Sequence, residues 1–133
     1  MVDVEAVIRA HLVAQTTPAL EALYALTGDR IYASRSLPPK YRPANGQAIL
    51  FSTRGGGQDY SSAILRPSVQ YQCFGLDEGA ARTAYRALYD ALNDQSGVGI
   101  TQSRLETQGQ LLTDPESTWP YVLCAFQHAI RNR

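Results

Sequence analysis

The chain lacks net charge: twelve basic and twelve acidic residues balance over its 133 residues. A protein that grips free nucleic acid through its phosphates carries a basic excess or a Lys/Arg stripe, so the composition gives that class no support. Lysine is almost missing, Lys40 being the sole one. The other basic residues are Arg, the residue of planar bidentate pairing. That suits a surface made for protein partners, and it equally suits a compositional bias of the source genome. No stretch approaches the roughly 20 apolar residues of a membrane-spanning helix, so no membrane association is expected. The opening residues lack the pattern of a secretion signal, so the expected site of synthesis is the cytosol. Cysteine is scarce. Cys73 and Cys124 both lie inside apolar strand patterns, as buried free thiols in a reducing compartment do. They can form a disulfide only if their strands are neighbours.

What is present is most legible between Ser68 and Asn93. Val69, Tyr71 and Cys73 alternate with Gln70 and Gln72, the period of a half-buried strand. The period then changes to 3.6, with Ala81, Ala84, Tyr85, Leu88 and Leu92 on one helical face. Gly75 and Asp77 mark the switch, and Asp77 is a good helix N-cap.

Asp3 can cap a first helix running to about Gln15, with Val4, Val7, Ile8, His11 and Leu12 on its stripe. Thr17-Pro18 starts a second helix and Gly28 stops it. Arg30–Ala33 reads as a short strand, and Leu37–Gly46 as a semi-rigid loop holding Pro38, Pro39 and Pro43. Gln47–Thr53 is a strand, Gly55-Gly56-Gly57 reads as a flexible hairpin tip, and Ser61–Phe74 returns. Arg66-Pro67 interrupts that return, which places the proline at an edge or a bulge. Ile100–Leu112 and Trp119–Ile130 are the last strands, joined by a turn at Thr113–Glu116. Apolar residues on both faces of the final strand predict a central, doubly covered position. The chain reads as one α+β domain over residues 1–133. It has an antiparallel β-sheet, N-terminal helices and one long amphipathic helix packed on the sheet.

Chemistry-bearing clusters are thin. His11 and His128 each lie on an apolar stripe, as core or interface histidines do. Cys124 and His128 stand about 13 Å apart along one strand, too far to share a metal or act as nucleophile and base. The triglycine lacks the Gly-Lys-Ser/Thr continuation of a phosphate loop. Asp114 and Glu116 flank a proline in a turn, where solvated carboxylates are common. No catalytic, cofactor or metal residue is nominated, and no enzymatic activity is expected.

Candidate contact residues remain. The loops Leu37–Gly46 and Arg54–Tyr60 are long for connections in a compact domain. From them come Leu37, Pro38, Pro39, Tyr41 and Arg42, and Arg54, Gly55, Gly56, Gly57 and Tyr60. Arg82 and Arg86 lie on the outer face of the long helix, where Glu78/Arg82 and Arg86/Asp90 can pair at i,i+4. That face reads either as solvated or as a subunit contact. Eight tyrosines against three phenylalanines suit surfaces buried only on assembly, with Tyr41, Tyr60, Tyr89 and Tyr121 as candidates, and each of these equally suits the margin of the core.

The order and texture of these segments resemble a family of phage proteins. The residues that carry the likeness are the opening helix, Gly28-Asp29-Arg30-Ile31-Tyr32, Leu37-Pro38-Pro39 and Gln47-Ala48-Ile49-Leu50-Phe51. To these is added Val69–Gly75 leading into Asp77–Arg82. The chain resembles the tail terminator and tail-completion proteins of long-tailed bacteriophages, the small α+β proteins of the lambda-type neck. The resemblance implies a homohexameric ring on the head-proximal end of the tail tube, ending its polymerisation and offering a surface to the head-completion or neck protein. It implies a virion protein assembled in the host cytoplasm, with DNA passing through the lumen without specific binding. It carries no catalytic residues. The rival readings are another head–tail adaptor of the phage neck and a small cytosolic ligand-binding α+β domain.

Overall fold

The computed structural model describes residues 3–34, 36–58, 63–97 and 99–131, with backbone alone at 55–58. Tyr60, one of the expected contact residues, lies outside the described residues. Helices α1 (Val4–Val13), α2 (Pro18–Thr27) and α3 (Glu78–Leu92) accompany strands β1 (Ile31–Ala33), β2 (Ala48–Gln58), β3 (Ile64–Phe74), β4 (Ile100–Thr113) and β5 (Pro120–Arg131). The fold is α+β, as expected.

The helix starts follow from their caps. Asp3 accepts from Ala6 N at 3.2 Å, Thr17 Oγ1 from Leu20 N at 3.2 Å, and Asp77 Oδ1 from Ala80 N at 2.8 Å. Each side chain satisfies an amide that the first turn would leave bare. α1 ends at Val13, two residues short of expectation, because Gln15 takes a φ of 54°. Such a backbone cannot continue a right-handed helix. α2 ends on Gly28, whose φ of 54° suits a residue without Cβ.

The strands lie in the order β1-β2-β3-β5-β4. One pair departs from the expected antiparallel sheet: β1 runs parallel to β2, with Ile31 opposite Ile49. A parallel pair needs a crossover of about a dozen residues or more, and the Pro-rich loop supplies that length. The triglycine is not a hairpin tip. It lies within β2, where Gly56 pairs with Pro67 and Gly57 with Arg66, after a register shift between Thr53 and Gly56. The proline disturbs the ladder inside a central strand and is accommodated opposite this irregularity, as a bulge and not as an edge.

All three helices cover one face of the sheet. Ile8, Leu12, Leu20 and Leu23 meet Ile49, Phe51, Val69 and Phe126 there in one buried cluster. α3 adds Ala81, Ala84, Leu88, Ala91 and Leu92. Burying Leu88 and Leu92 contributes roughly 1.5–3 kcal/mol each. β5 is central, as expected, but the helices cover only one of its faces, and Tyr121 and Leu123 on the other stay half-buried.

The outer edge of β4 is covered in part by the chain itself. Asp94 N donates to Ser103 O at 2.7 Å, and Ser103 N to Gln95 O at 3.1 Å. Leu105 N donates to Asn93 Oδ1 at 3.0 Å, and Gly109 N to the Tyr85 hydroxyl at 3.1 Å. The segment after α3 thus occupies amides that an open edge would offer to another strand.

Candidate functional site

The core holds one polar chain. Tyr71 on β3, His128 on β5 and Ser103 on β4 face the helices. The Tyr71 hydroxyl stands 2.7 Å from His128 Nε2, and Ser103 Oγ 2.6 Å from His128 Nδ1. A neutral imidazole has one donor and one acceptor nitrogen, so both ends are satisfied. Serine, histidine and tyrosine in a line invite a catalytic reading, but His128 is 0% exposed and Ser103 1%. No substrate carbonyl reaches a hydroxyl in that position, and the chain reads as a structural network. Burial, reinforced by nearby His11, holds the His128 pKa down to about 4. His11 is also lowered by burial, and its Nε2 is buried without a hydrogen-bond partner.

The two cysteines are diagonal neighbours on the same face, since Cys73 pairs with Val122 and Tyr71 with Cys124. Both are free and buried, and the neighbouring Cys124 thiol together with burial pushes the Cys73 thiol well above its usual range. Among the described residues, no group of three His, Cys, Asp or Glu side chains stands together to hold a metal.

The expected contact residues divide between two regions. In the loop before β2, Leu37 and Pro38 are half-buried and Pro39 and Arg42 exposed. Tyr41 is 3% exposed, donates to Gly46 O at 2.8 Å, and meets the Trp119 ring edge-on at 5.7 Å. Burial raises its pKa to about 12. Tyr41 is thus the anchor of the loop. Arg42 fastens it by donating to Pro39 O and Tyr41 O, and Arg30 ties its end to α2 by donating to Gln47 O and Leu26 O.

Arg54 extends over the helix-free face. Its Nε donates to Ser68 Oγ at 3.1 Å and its Nη2 meets Glu106 Oε1 at 3.0 Å. Hydrogen bonds from Ser68 and Arg54 hold the Glu106 carboxyl below its usual range. The pair spans β3 and β5, and Ala125 beneath it is 1% exposed. Beside it lies a cleft of about 290 Å³ lined by Ser34, Leu50, Phe51, Ser52, Thr53, Arg54, Gln70 and Gln72. Arg54 gives this lining its charge and is already engaged with Ser68 and Glu106.

Arg82 and Arg86 point out from α3. The expected pairs with Glu78 and Asp90 do not form; the ion pairs among the described residues are Arg54–Glu106 and a long Arg104–Asp94 contact at 3.9 Å. A groove of about 400 Å³ runs between α3 and β4, lined by Tyr85, Arg86, Tyr89, Asp90, Leu105 and Gln108.

The fold has a counterpart among solved structures. The chain is similar to a chain of a solved structure described as the virion of a native gene transfer agent particle, with a TM-score of 0.66. The match covers 97% of this chain and 95% of that chain, at 16% sequence identity. At that identity the likeness shows a shared fold. No family model matches the chain, and no curated protein matches it.

Sequence reasoning missed Glu106, Leu105 and the groove. Arg54 and Glu106 are 52 positions apart, and only the β2-β3-β5-β4 order brings them together. Tyr89 and the outer arginines carried a signal, namely exposed aromatic and basic positions on a strongly amphipathic helix.

Proposed function

We propose that this protein is a structural subunit of a phage-type virion, forming a ring on the head-proximal end of a tail tube. There it ends tube polymerisation and joins the tail to the head. The observation that carries the reading is the near full-length likeness of fold to a chain of the gene transfer agent virion. The order of elements that resembles the terminator family points the same way.

The ring is homohexameric and meets the tube protein on one side and a head-completion protein on the other. A formal charge of zero suits a lumen through which DNA slides without salt-dependent phosphate contacts. Arg42 and Arg54, each tied to neighbouring groups, support shaped surfaces at the loop and on the open sheet face. The role is architectural, with no substrate turned over.

The test is a particle population made without the protein. Heads and tails then accumulate unjoined, with tubes longer than normal. Tails of normal length that fail to join heads support the adaptor role instead, and intact infectious particles refute both.

A further inference from the structure

We infer that neighbouring ring subunits join by strand addition. The free stretch of β2 in one copy pairs with the free end of β4 in the next. The inference rests on the ring reading above and assigns its contact.

β1 is three residues long and borders β2 only at Ile49–Phe51. β2 runs on to Gln58 against β3, so its outer side has no strand beside it from Ser52 onward. One bond fixes the direction of its amides. Ile49 N donates outward to Arg30 O at 3.0 Å. Amide direction alternates along a strand, so Thr53 N–H also points outward. Among the described residues no backbone carbonyl meets it. The register shift between Thr53 and Gly56 keeps the available run short. No lysine or proline guards it, and Arg54 is turned across the open face to Ser68 and Glu106.

β4 offers the complement. The chain covers the amides of Ser103, Leu105 and Gly109, and the cover stops there. Asp114 N donates to Trp119 O at 3.0 Å across the hairpin. By the same alternation Gln110 and Leu112 bond to β5, while Leu111 and Thr113 present their amides outward. The segment Thr107–Thr113 carries no charged residue. Leu111 packs towards the core, which puts Gln110 and Leu112 on the helix-free face. A sheet continued from copy to copy shares that face, where the cleft of about 290 Å³ lies beside Thr53. Leu50, Gln70 and Gln72 there match the incoming leucine and glutamine, and Arg54, the one charged residue of the lining, is already paired.

The two stretches lie on opposite edges of the sheet and at different heights. Thr53 shares a row with Val69, Phe126 and Leu105, and Ile49 shares one with Cys73, Val122 and Leu111. Joined copies are therefore offset by about the four residues from Ile49 to Thr53, roughly 13 Å at about 3.3 Å per residue. Two different edges make a heterologous contact, the kind that closes into a ring when the rotation permits. A sheet that closes on itself requires such a stagger.

The experiment combines Ser52→Cys and Leu112→Cys in one chain, treats assembled particles with a short bis-maleimide, and resolves the products under denaturing conditions. The double variant gives a ladder of covalent multimers ending at the ring, and each single variant gives none. In parallel, Thr53→Pro removes the outward N–H and no bond to β3. Incorporation into particles falls about tenfold or more, because the loss recurs at every contact of the ring, while melting of the free subunit stays at the wild-type value. Thr113→Pro has the same effect from the other edge and keeps the contact testable if one proline disturbs folding. Rings that form without the ladder, a product joining the Ser52→Cys site to a different particle protein, or normal incorporation of both proline variants overturn this contact and leave the ring reading standing. A single copy per particle overturns the ring reading and the contact together.

Discussion

Acidification tests the buried histidines. His128 is fully buried, and its pKa is held down from 6.5 to about 4. The unfolded chain therefore binds the proton more readily than the folded one. The stabilisation is fully present above pH 6.5 and is lost as the pH falls towards 4. Integrating between the two pKa values gives a loss of about 2–3 kcal/mol by a pH of about 4.5, at 1.36 kcal/mol per unit. That is a large part of the roughly 5–15 kcal/mol that holds a typical domain together. His11, lowered by the same cause, adds to the loss with the same sign. Glu106 and Asp114 are depressed carboxylates, so their stabilisation disappears only below the ordinary carboxylate range, in a lower window. The assay is urea unfolding of the free subunit at closely spaced pH, read by circular dichroism. The wild type loses midpoint steadily through this interval. A variant with His11→Gln and His128→Gln starts less stable, because the polar chain to Tyr71 and Ser103 is disturbed, and then stays level. A wild-type profile that is flat, or a slope that survives undiminished in the double variant, refutes the reasoning.

Leu88→Asp places an unpaired charge at a site with 0% exposure, so the monomer unfolds or melts far lower, with several kcal/mol lost. Gly75→Ala drives a methyl against the α3 backbone and costs about 1–3 kcal/mol in denaturant unfolding; an unchanged midpoint shows that this packing is slack. A double-mutant cycle of Arg54→Ala and Glu106→Ala yields a coupling below about 1 kcal/mol, weakening with salt, because both side chains are partly solvated.

The elements legible in the sequence are those whose cause is local. Asp77 and the change of period at Gly75 announce β3 and α3, and Asp3, Thr17 and Asp77 each cap the helix they were read as starting. The place of the triglycine is not legible locally, because glycine signals a tip by conformational freedom. Its place in β2 instead depends on pairing with the Pro67 segment. The parallel β1–β2 pair was hidden for a similar reason: three residues of β1 carry no sign of direction. Arg82 and Arg86 are legible as outward positions of an amphipathic helix, but the groove that Arg86 helps to line needs β4 to lie beside α3. Tyr41 was nominated as a contact from its type, and burial against Trp119 gives it an anchoring part in the loop.

The way the chain occupies the outer edge of β4 bears on its tendency to aggregate. A pool of unassembled copies with an open, lysine-free edge strand is a nucleus for fibres. Here Asn93, Gln95 and Tyr85 hold three of the amides such growth would use, and Asp94 N–H holds the Ser103 carbonyl. That stretch of the edge is therefore a poor template for strand addition.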